Sequence, residues 1–229
     1  DYTEARLTFL KMEMLMPGNI LGRLAADYPS LAPLRGSVEA AFNAICDTYR
    51  RGGKLLCCGN GGSAADSDHI VGELLKSFIM KRPIDPALHS ALTALGEDGA
   101  FIAANLEGAL PAISLTAHTA LISAYANDRE PALVYAQQVA GLGRPGDALI
   151  ALSTSGNSKN CVYAALTAKA AGITVIAMTG SGGGKLARIA DILINVPENE
   201  TYRVQELHLP VYHCLCAMLE AEFFGKTRK

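Results

Sequence analysis

Five short apolar runs alternate with helical patterns along this chain, and this alternation restricts the fold more than any other feature. The runs span Lys54–Cys58, Ala112–Thr116, Ala148–Ser153, Thr174–Thr179 and Ile192–Val196. Each is short and largely apolar, which is typical of strands buried on both faces. Strands that are separated by helices form a parallel sheet with helices on both sides. The sequence therefore predicts an α/β domain.

Helical patterns occupy the gaps, at Val38–Tyr49, Ala64–Phe78, Pro131–Gly141, Ser158–Ala171, Lys185–Ala190 and Tyr202–Phe224. The segment Arg82–Pro111 departs from simple alternation. Asp85-Pro86 is typical of a helix N-cap followed by proline at the first helical position. Leu88–Leu95 then carries an apolar stripe at helical spacing, and Phe101–Leu106 indicates a second short helix. We expect a helical insertion at about residues 84–110 and a helical extension at about residues 1–35, including an amphipathic helix at Ala5–Leu15.

Length, charge and cysteine placement limit the class of protein. The 229 residues fit one domain, and we expect a single domain over residues 1–229. The net charge is −2 and no basic run occurs, which argues against a nucleic-acid or membrane-surface partner. No apolar run approaches the roughly 20 residues that span a bilayer, and no signal-peptide pattern is present at the start. The six cysteines lie in apolar stretches, as expected for buried thiols in the cytoplasm.

The first strand is followed by the glycine-rich segment Gly59–Asp66. Glycines allow backbone N–H groups to approach a ligand at a helix N-terminus, where anions are favoured. A tight strand–helix turn without a ligand would explain the same pattern equally well. A dinucleotide site is disfavoured, because it needs an acidic residue at the end of the next strand. The next strand ends instead in Ser114-Leu115-Thr116.

The third strand is followed by Ser153-Thr154-Ser155-Gly156-Asn157-Ser158. Hydroxyl groups can donate to an oxyanion, and the start of the following helix adds free N–H groups. A Walker loop is excluded because no lysine follows the glycine. An ordinary helix cap would need one hydroxyl and not four. The segment therefore predicts a phosphate-binding loop, with a hydroxyl-rich cap as the alternative.

Two helices carry side chains that suit a divalent ion. His69 and Glu73 lie four positions apart and share one helix face, whereas Gln205 and His213 lie on the last helix. If the helices face each other, imidazole, carboxylate and amide groups converge as ligands for an ion such as zinc. Solvated helix faces are the alternative. His208 points away from His213 at helical spacing, and we expect a structural role for it.

Taken together, these motifs resemble the SIS (sugar isomerase) domain family, and within it the bacterial phosphoheptose isomerases. The matching residues span most of the chain in order, at Cys58–Ser63, Asp66, His69, Glu73-Leu74, Ala126–Asp128, Leu152–Ser158, Gln205–His208 and His213. The resemblance implies a three-layer α/β/α sandwich with a five-stranded parallel sheet, assembled as a homotetramer. It also implies isomerisation of sedoheptulose 7-phosphate to D-glycero-D-manno-heptose 7-phosphate, for heptose units of lipopolysaccharide, capsule or other surface glycans.

The resemblance also implies roles for individual residues. Glu73 and His213 would move protons during the reaction. His69, Glu73, Gln205 and His213 would bind zinc. The residues that would contact the sugar phosphate are Asn60, Gly61, Ser63, Asp128, Ser153, Thr154, Ser155, Ser158 and Gln205.

Two departures from the family pattern bear on this interpretation. The family usually runs almost directly from Arg82-Pro83 to the second strand, whereas residues 84–110 intervene here. A basic residue that commonly follows the helix carboxylate is Ser77 here, with Lys76 beside it. The insertion leaves open isomerisation of a different phosphosugar. The resemblance leaves open a second function, a non-catalytic regulator that binds a replication initiator or senses a sugar phosphate, although such relatives tend to lack the residues that match Glu73 and His213.

Overall fold

Five parallel strands form the centre of the protein, in a computed structural model that describes residues 16–225. The strands are β1 (Leu55–Cys58), β2 (Ala112–Ser114), β3 (Ala148–Leu152), β4 (Thr174–Thr179) and β5 (Ile192–Asn195). The helices are α1 (Pro17–Asp27), α2 (Arg35–Arg50), α3 (Gly62–Leu75), α4 (Pro86–Thr93), α5 (Glu97–Asn105), α6 (Thr119–Asp128), α7 (Val134–Leu142), α8 (Lys159–Ala170) and α9 (Thr201–Phe224). The helix predicted at Ala5–Leu15 lies outside the described residues.

The strands lie in the order β2-β1-β3-β4-β5, and every neighbouring pair is parallel. Side chains of β3 alternate between two apolar clusters. Ile150 and Leu152 belong to the cluster shared with α2, α3 and α9, whereas Leu149 and Ala151 belong to the one shared with α7 and α8. The sheet is thus buried on both faces, which confirms the predicted α/β sandwich. All six cysteines are free and buried, as expected.

Three expectations about the elements were wrong or incomplete. Lys185–Ala190 contains only a 3₁₀ turn at Leu186–Arg188, because so short a segment cannot offset the cost of nucleating an α-helix. Helix α6 was not predicted, although it covers ten residues. Strand β2 ends at Ser114 and not at Thr116; it is an edge strand, which pairs only with β1 among the described strands.

The insertion forms two helices, α4 and α5, which pack mainly against each other. Asp85 caps α4, since its Oδ1 accepts hydrogen bonds from the N–H groups of Ala87 and Leu88. Apolar side chains project into solvent, with Leu95 at 77% and Phe101 at 70% exposure. The insertion therefore adds little to the core of this subunit and presents an apolar surface.

The amino-terminal extension continues as α1 and a 3₁₀ turn at Pro29–Leu34, and α1 packs against α9. Within residues 16–225, no helix has both the length and the apolar character needed to cross a membrane.

Candidate active site

Two loops meet at the carboxyl edge of the sheet because β1 and β3 are neighbours, with Cys58 opposite Ala151. The loop after β1 turns at Gly61, whose φ of 55° is a conformation that glycine adopts without strain. Gly62 begins α3 directly against Gln205. A Cβ atom at Gly62 would lie 2.6 Å from Gln205 Nε2, so the absence of a side chain lets α9 approach this loop.

The loop after β3 carries the predicted hydroxyl groups. Ser153 is buried, and its Oγ donates a hydrogen bond to Ser158 Oγ over 3.0 Å. Ser155 is exposed, and its Oγ accepts from the N–H of Asn157. The loop is thus folded back on itself at the start of α8, with Thr154 partly exposed beside it. Hydroxyl and N–H donors in such an arrangement suit an anion.

A reciprocal amide pair joins the two loops. Asn60 Nδ2 donates to Asn160 Oδ1, and Asn160 Nδ2 donates back to Asn60 Oδ1, each over 2.8 Å. Tyr135 adds a second anchor, because its hydroxyl donates to the carbonyl of Gly59 over 2.6 Å. Neither Asn160 nor Tyr135 was predicted, since each lies far in sequence from the loop it holds. Ser63, at the start of α3, is buried, and its backbone lies against Gly59.

The carboxylate of Glu73 lies between two nitrogen groups, those of His69 on α3 and of Lys76 just after the end of that helix. His69 Nε2 is 3.2 Å from Oε1, and the ammonium of Lys76 is 3.0 Å from Oε2. The Glu73 side chain is only 11% exposed, whereas those of His69 and Lys76 are more open. A buried carboxylate beside an open imidazole can accept a proton from a bound substrate.

His213 faces this carboxylate from α9. Its ring centroid lies 5.0 Å from that of His69 and 5.5 Å from that of Phe78. Burial lowers the pKa of His213, and the nearby His69 lowers it further, whereas Glu73 acts in the opposite direction. His213 Nε2 is buried without a hydrogen-bond partner among the described residues. An unpaired nitrogen in such a position is available to a substrate oxygen or a metal ion.

A hydrogen-bond chain sets the orientation of His69. Tyr212 donates its hydroxyl proton to Asp66 Oδ1 over 3.2 Å, and the same hydroxyl oxygen lies 3.0 Å from His69 Nδ1. Because a tyrosine hydroxyl has one proton, its oxygen accepts from the Nδ1–H of His69. Nε2 of His69 is then the nitrogen that faces Glu73 Oε1, 3.2 Å away, where a proton or a metal ion can bridge the two atoms. No sequence motif marks this role of Tyr212, although the residue directly precedes His213.

The nitrogen and oxygen donors at this site fit zinc in kind. His69 Nε2 lies 3.2 Å from Glu73 Oε1, and His213 Nε2 has no partner among the described residues. The second nitrogen of His69 is held by Tyr212, as is usual for metal-binding histidines. Within residues 16–225, however, no three His, Cys, Asp or Glu side chains are arranged to hold a metal ion. The types of ligand atom therefore suit a zinc ion, whereas the side chains are not positioned as they would be around a bound ion.

Of the predicted residues, Asp128 is the one that the structure does not tie to this cluster. It is exposed at the end of α6, where its Oδ1 accepts a hydrogen bond from Asn127. The other predicted side chains belong to the two loops at the sheet edge or to the facing surfaces of α3 and α9.

Comparison with known proteins agrees with this geometry. The family described as the SIS domain matches residues 31–107 and 99–180. The phosphoheptose isomerase of Akkermansia muciniphila is 36% identical over 214 residues, covering 93% of this chain and all of the relative. That of Rhodospirillum rubrum is 37% identical over 198 residues, covering 86% of this chain and 88% of the relative.

Solved structures give the same result. The phosphoheptose isomerase of Neisseria gonorrhoeae superimposes with a TM-score of 0.69 at 29% identity, covering 96% of this chain and 98% of that one. The enzyme from Francisella tularensis gives a TM-score of 0.68 at 27% identity, with the same coverage. The chain therefore belongs to the SIS-domain family and, within it, to the phosphoheptose isomerases.

Proposed function

We propose that this protein isomerises sedoheptulose 7-phosphate to D-glycero-D-manno-heptose 7-phosphate, in the cytoplasm, for heptose units of surface glycans. The observation that carries the proposal is the placement of Glu73 and His213. They stand on facing helices, one a buried carboxylate and the other an imidazole with an unpaired nitrogen. Aldose–ketose exchange needs one group that moves a proton on carbon and another that moves protons on oxygen.

The reaction passes through a cis-enediol. Glu73 removes the proton from C1 of the ketose, and His213 supplies a proton to the oxygen on C2. His213 then takes the proton from the C1 oxygen as Glu73 returns its proton to C2, which gives the aldose. Lys76 places a positive charge beside Glu73, near the negative charge that develops on the enediolate. In this way Lys76 offsets the absence of a basic side chain at Ser77.

The loop after β3 holds the phosphate in this proposal, with Ser153, Thr154, Ser155 and Ser158 as donors. Ser63 adds a donor from the start of α3. Asn60 and Gln205 contact sugar hydroxyls, next to the backbone of Gly61, whereas Asp128 lies outside this cluster. A phosphate bound away from the reacting carbons supplies binding energy that positions them.

We further propose that zinc binds to His69, Glu73, Gln205 and His213. When bound, zinc would polarise the substrate carbonyl and stabilise negative charge on its oxygen. The test is chelation followed by zinc addition, with turnover and metal content measured at each stage. We expect turnover to fall on chelation and to return with one zinc per subunit. Full turnover by metal-free protein would exclude the ion from the reaction and leave the Glu73–His213 pair in place.

The main test is a coupled isomerase assay with heptose, hexose and pentose phosphates. We expect sedoheptulose 7-phosphate to give the highest kcat/KM. A higher value for another phosphosugar would change the assigned substrate. Tight binding of the sugar phosphate without any turnover by the parent protein would indicate a sensor and not an enzyme.

The Glu73→Gln variant tests the role of the carboxylate. The amide keeps the shape but cannot accept a proton, so we expect turnover to fall by roughly 100-fold or more while sugar-phosphate binding by calorimetry stays within a few-fold. Glu39→Gln, a change at an exposed carboxylate on α2, is the matched control and should keep full activity. Near-normal turnover in Glu73→Gln would refute the assigned role.

A further inference from the structure

A fully buried ion pair lies outside the group of reacting side chains. Arg82 Nε donates to Glu220 Oε1 over 2.6 Å, and both side chains are 0% exposed. Buried ion pairs contribute little net stability, because desolvation of the two charges offsets much of their attraction. The contacts that this pair makes with the surrounding backbone therefore matter more than the pair itself.

The other nitrogens of Arg82 bind the end of α3. One terminal nitrogen donates to the carbonyl of Leu74 and the other to the carbonyl of Glu73, each over 2.8 Å. The last carbonyls of a helix have no partner within the helix, and a cation is favoured at that end. Arg82 thus fixes the helical turn that carries the Glu73 carboxylate, through the backbone of Glu73 itself.

Glu220 connects the same guanidinium to the helix of His213. It lies on α9 seven positions after His213, which is about two turns along the same side of the helix. Its carboxylate also accepts the N–H groups of Phe78, Ile79 and Met80, over 2.8, 2.7 and 3.1 Å. The segment that follows α3 is therefore attached to α9 by four hydrogen bonds to one carboxylate.

We infer that Arg82 and Glu220 are positioning residues for the isomerisation. Together they hold the turn of Glu73 on α3 at a fixed place relative to α9, and so set the geometry between Glu73 and His213. The inference rests on the proposed function, because it concerns the two groups that move protons in that reaction. Arg82 has no contact with the substrate in this scheme. It acts through the backbone of Glu73. The loop proposed to bind phosphate lies between β3 and α8, in a different part of the fold.

The test compares Arg82→Met with a matched control, Lys54→Met. Lys54 forms a partly buried ion pair with Asp147 beside the start of β1, at 2.6 Å and with side chains 23% and 2% exposed. Both changes remove a cation and leave a buried carboxylate, so both should lower the melting temperature. Each variant is assayed at a temperature where circular dichroism shows it to be fully folded.

We expect Arg82→Met to lower kcat by about ten-fold to 100-fold while KM stays within about three-fold, because small displacements of a catalytic group have effects of this size. Lys54→Met should keep kcat and KM. Arg82→Lys keeps the charge but cannot reach two carbonyls and Glu220 together, so kcat should be intermediate. If Arg82→Met does not fold, Glu220→Gln provides the same test, since it keeps the shape and one acceptor oxygen.

The outcomes are distinct. A folded Arg82→Met or Glu220→Gln with the kcat of the parent would overturn the inference, as would an equal loss of kcat in Lys54→Met. A parent protein that turns over no sugar phosphate would instead overturn the proposed function.

Discussion

His208 has a structural role on α9, the helix that also carries the proposed site residues Gln205 and His213. It is fully buried, its Nε2 lies 3.3 Å from the carbonyl of Thr179, and its Nδ1 has no partner among the described residues. Burial lowers its pKa from 6.5 to about 4, although the bond to Thr179 opposes the shift. The structural role expected from its direction on the helix agrees with this environment.

This pKa predicts a loss of stability in mild acid. Below pH 6.5 the unfolded chain binds a proton at His208 that the folded protein does not bind until pH is near 4. The free energy of unfolding should therefore fall as pH decreases through this window, by about 2 kcal/mol at pH 5 from this residue. Urea unfolding of the parent and of His208→Gln at pH 7 and pH 5 measures the effect. An equal loss in both proteins would contradict the assignment.

At the residue scale, sequence alone predicted the groups whose spacing lies within one element. His69 and Glu73 are four apart on α3, so their shared face could be predicted from helical geometry. Tyr212 and Asn160 were missed because their partners lie 143 and 100 positions away. A contact of that kind exists only once the sheet order is known. The role of Arg82 likewise could not be predicted from the sequence, because it depends on the tertiary contact with Glu220.

At the element scale, the loop after β3 makes the most direct prediction. Changing Ser155 and Ser158 together to alanine should raise KM by ten-fold or more, because charge-assisted hydrogen bonds contribute about 1.5–3 kcal/mol each. The kcat should change much less, since neither hydroxyl touches the reacting carbons. Ser90→Ala, which removes an exposed hydroxyl on α4, is the control.

Steady-state kinetics on these variants gives the answer. If the parent bound phosphate-free heptulose as well as the phosphorylated sugar, the loop would have a different function. The expected change in KM does not depend on zinc, because none of the proposed zinc ligands lies in this loop.

The elements themselves were predicted where length and pattern agreed. The five strands and α3 were found within a few residues of their ends, because buried strands are apolar throughout and α3 follows a glycine turn. Two failures have physical causes. Helix α6 has no fully buried residue; its apolar stripe is limited to Ile122, Tyr125 and Ala126, which pack against the core only in part, and so short a stripe is a weak signal. The Lys185–Ala190 segment begins directly after Gly183 and Gly184, whose positive φ values are not helical, and the six residues that remain are too few to nucleate an α-helix.

At the scale of the whole molecule, we expect a homotetramer. The apolar surface of α4 and α5 is exposed in one subunit, and contiguous exposed apolar surface on a protein usually marks a contact with a partner. Light scattering at micromolar concentration should give a mass near four subunits of 24.1 kDa. A monomer would refute the prediction.

The insertion offers a further test of this assembly. Leu95→Ser with Phe101→Ser removes two exposed apolar side chains that contribute little to the subunit core. The melting temperature of the subunit should change little, whereas the apparent mass should fall if the insertion lies in a subunit contact. Leu166→Ser, at an exposed leucine on α8, is the matched control. An unchanged mass in the double variant would place the subunit contacts elsewhere.

The distance between Glu73 and His213 along the chain has a consequence for synthesis. Glu73 follows the first strand, whereas His213 lies on the last helix, which leaves the ribosome after all five strands have been made. Until α9 docks, α1, α2 and α3 lack the helix against which they pack, and the nascent chain exposes the apolar surface of this cluster. The final docking event buries this surface and brings the imidazole to the carboxylate at once. A chain that is cut short before α9 would therefore be recognised as unfolded by chaperones or proteases, and not persist as a weakly active enzyme.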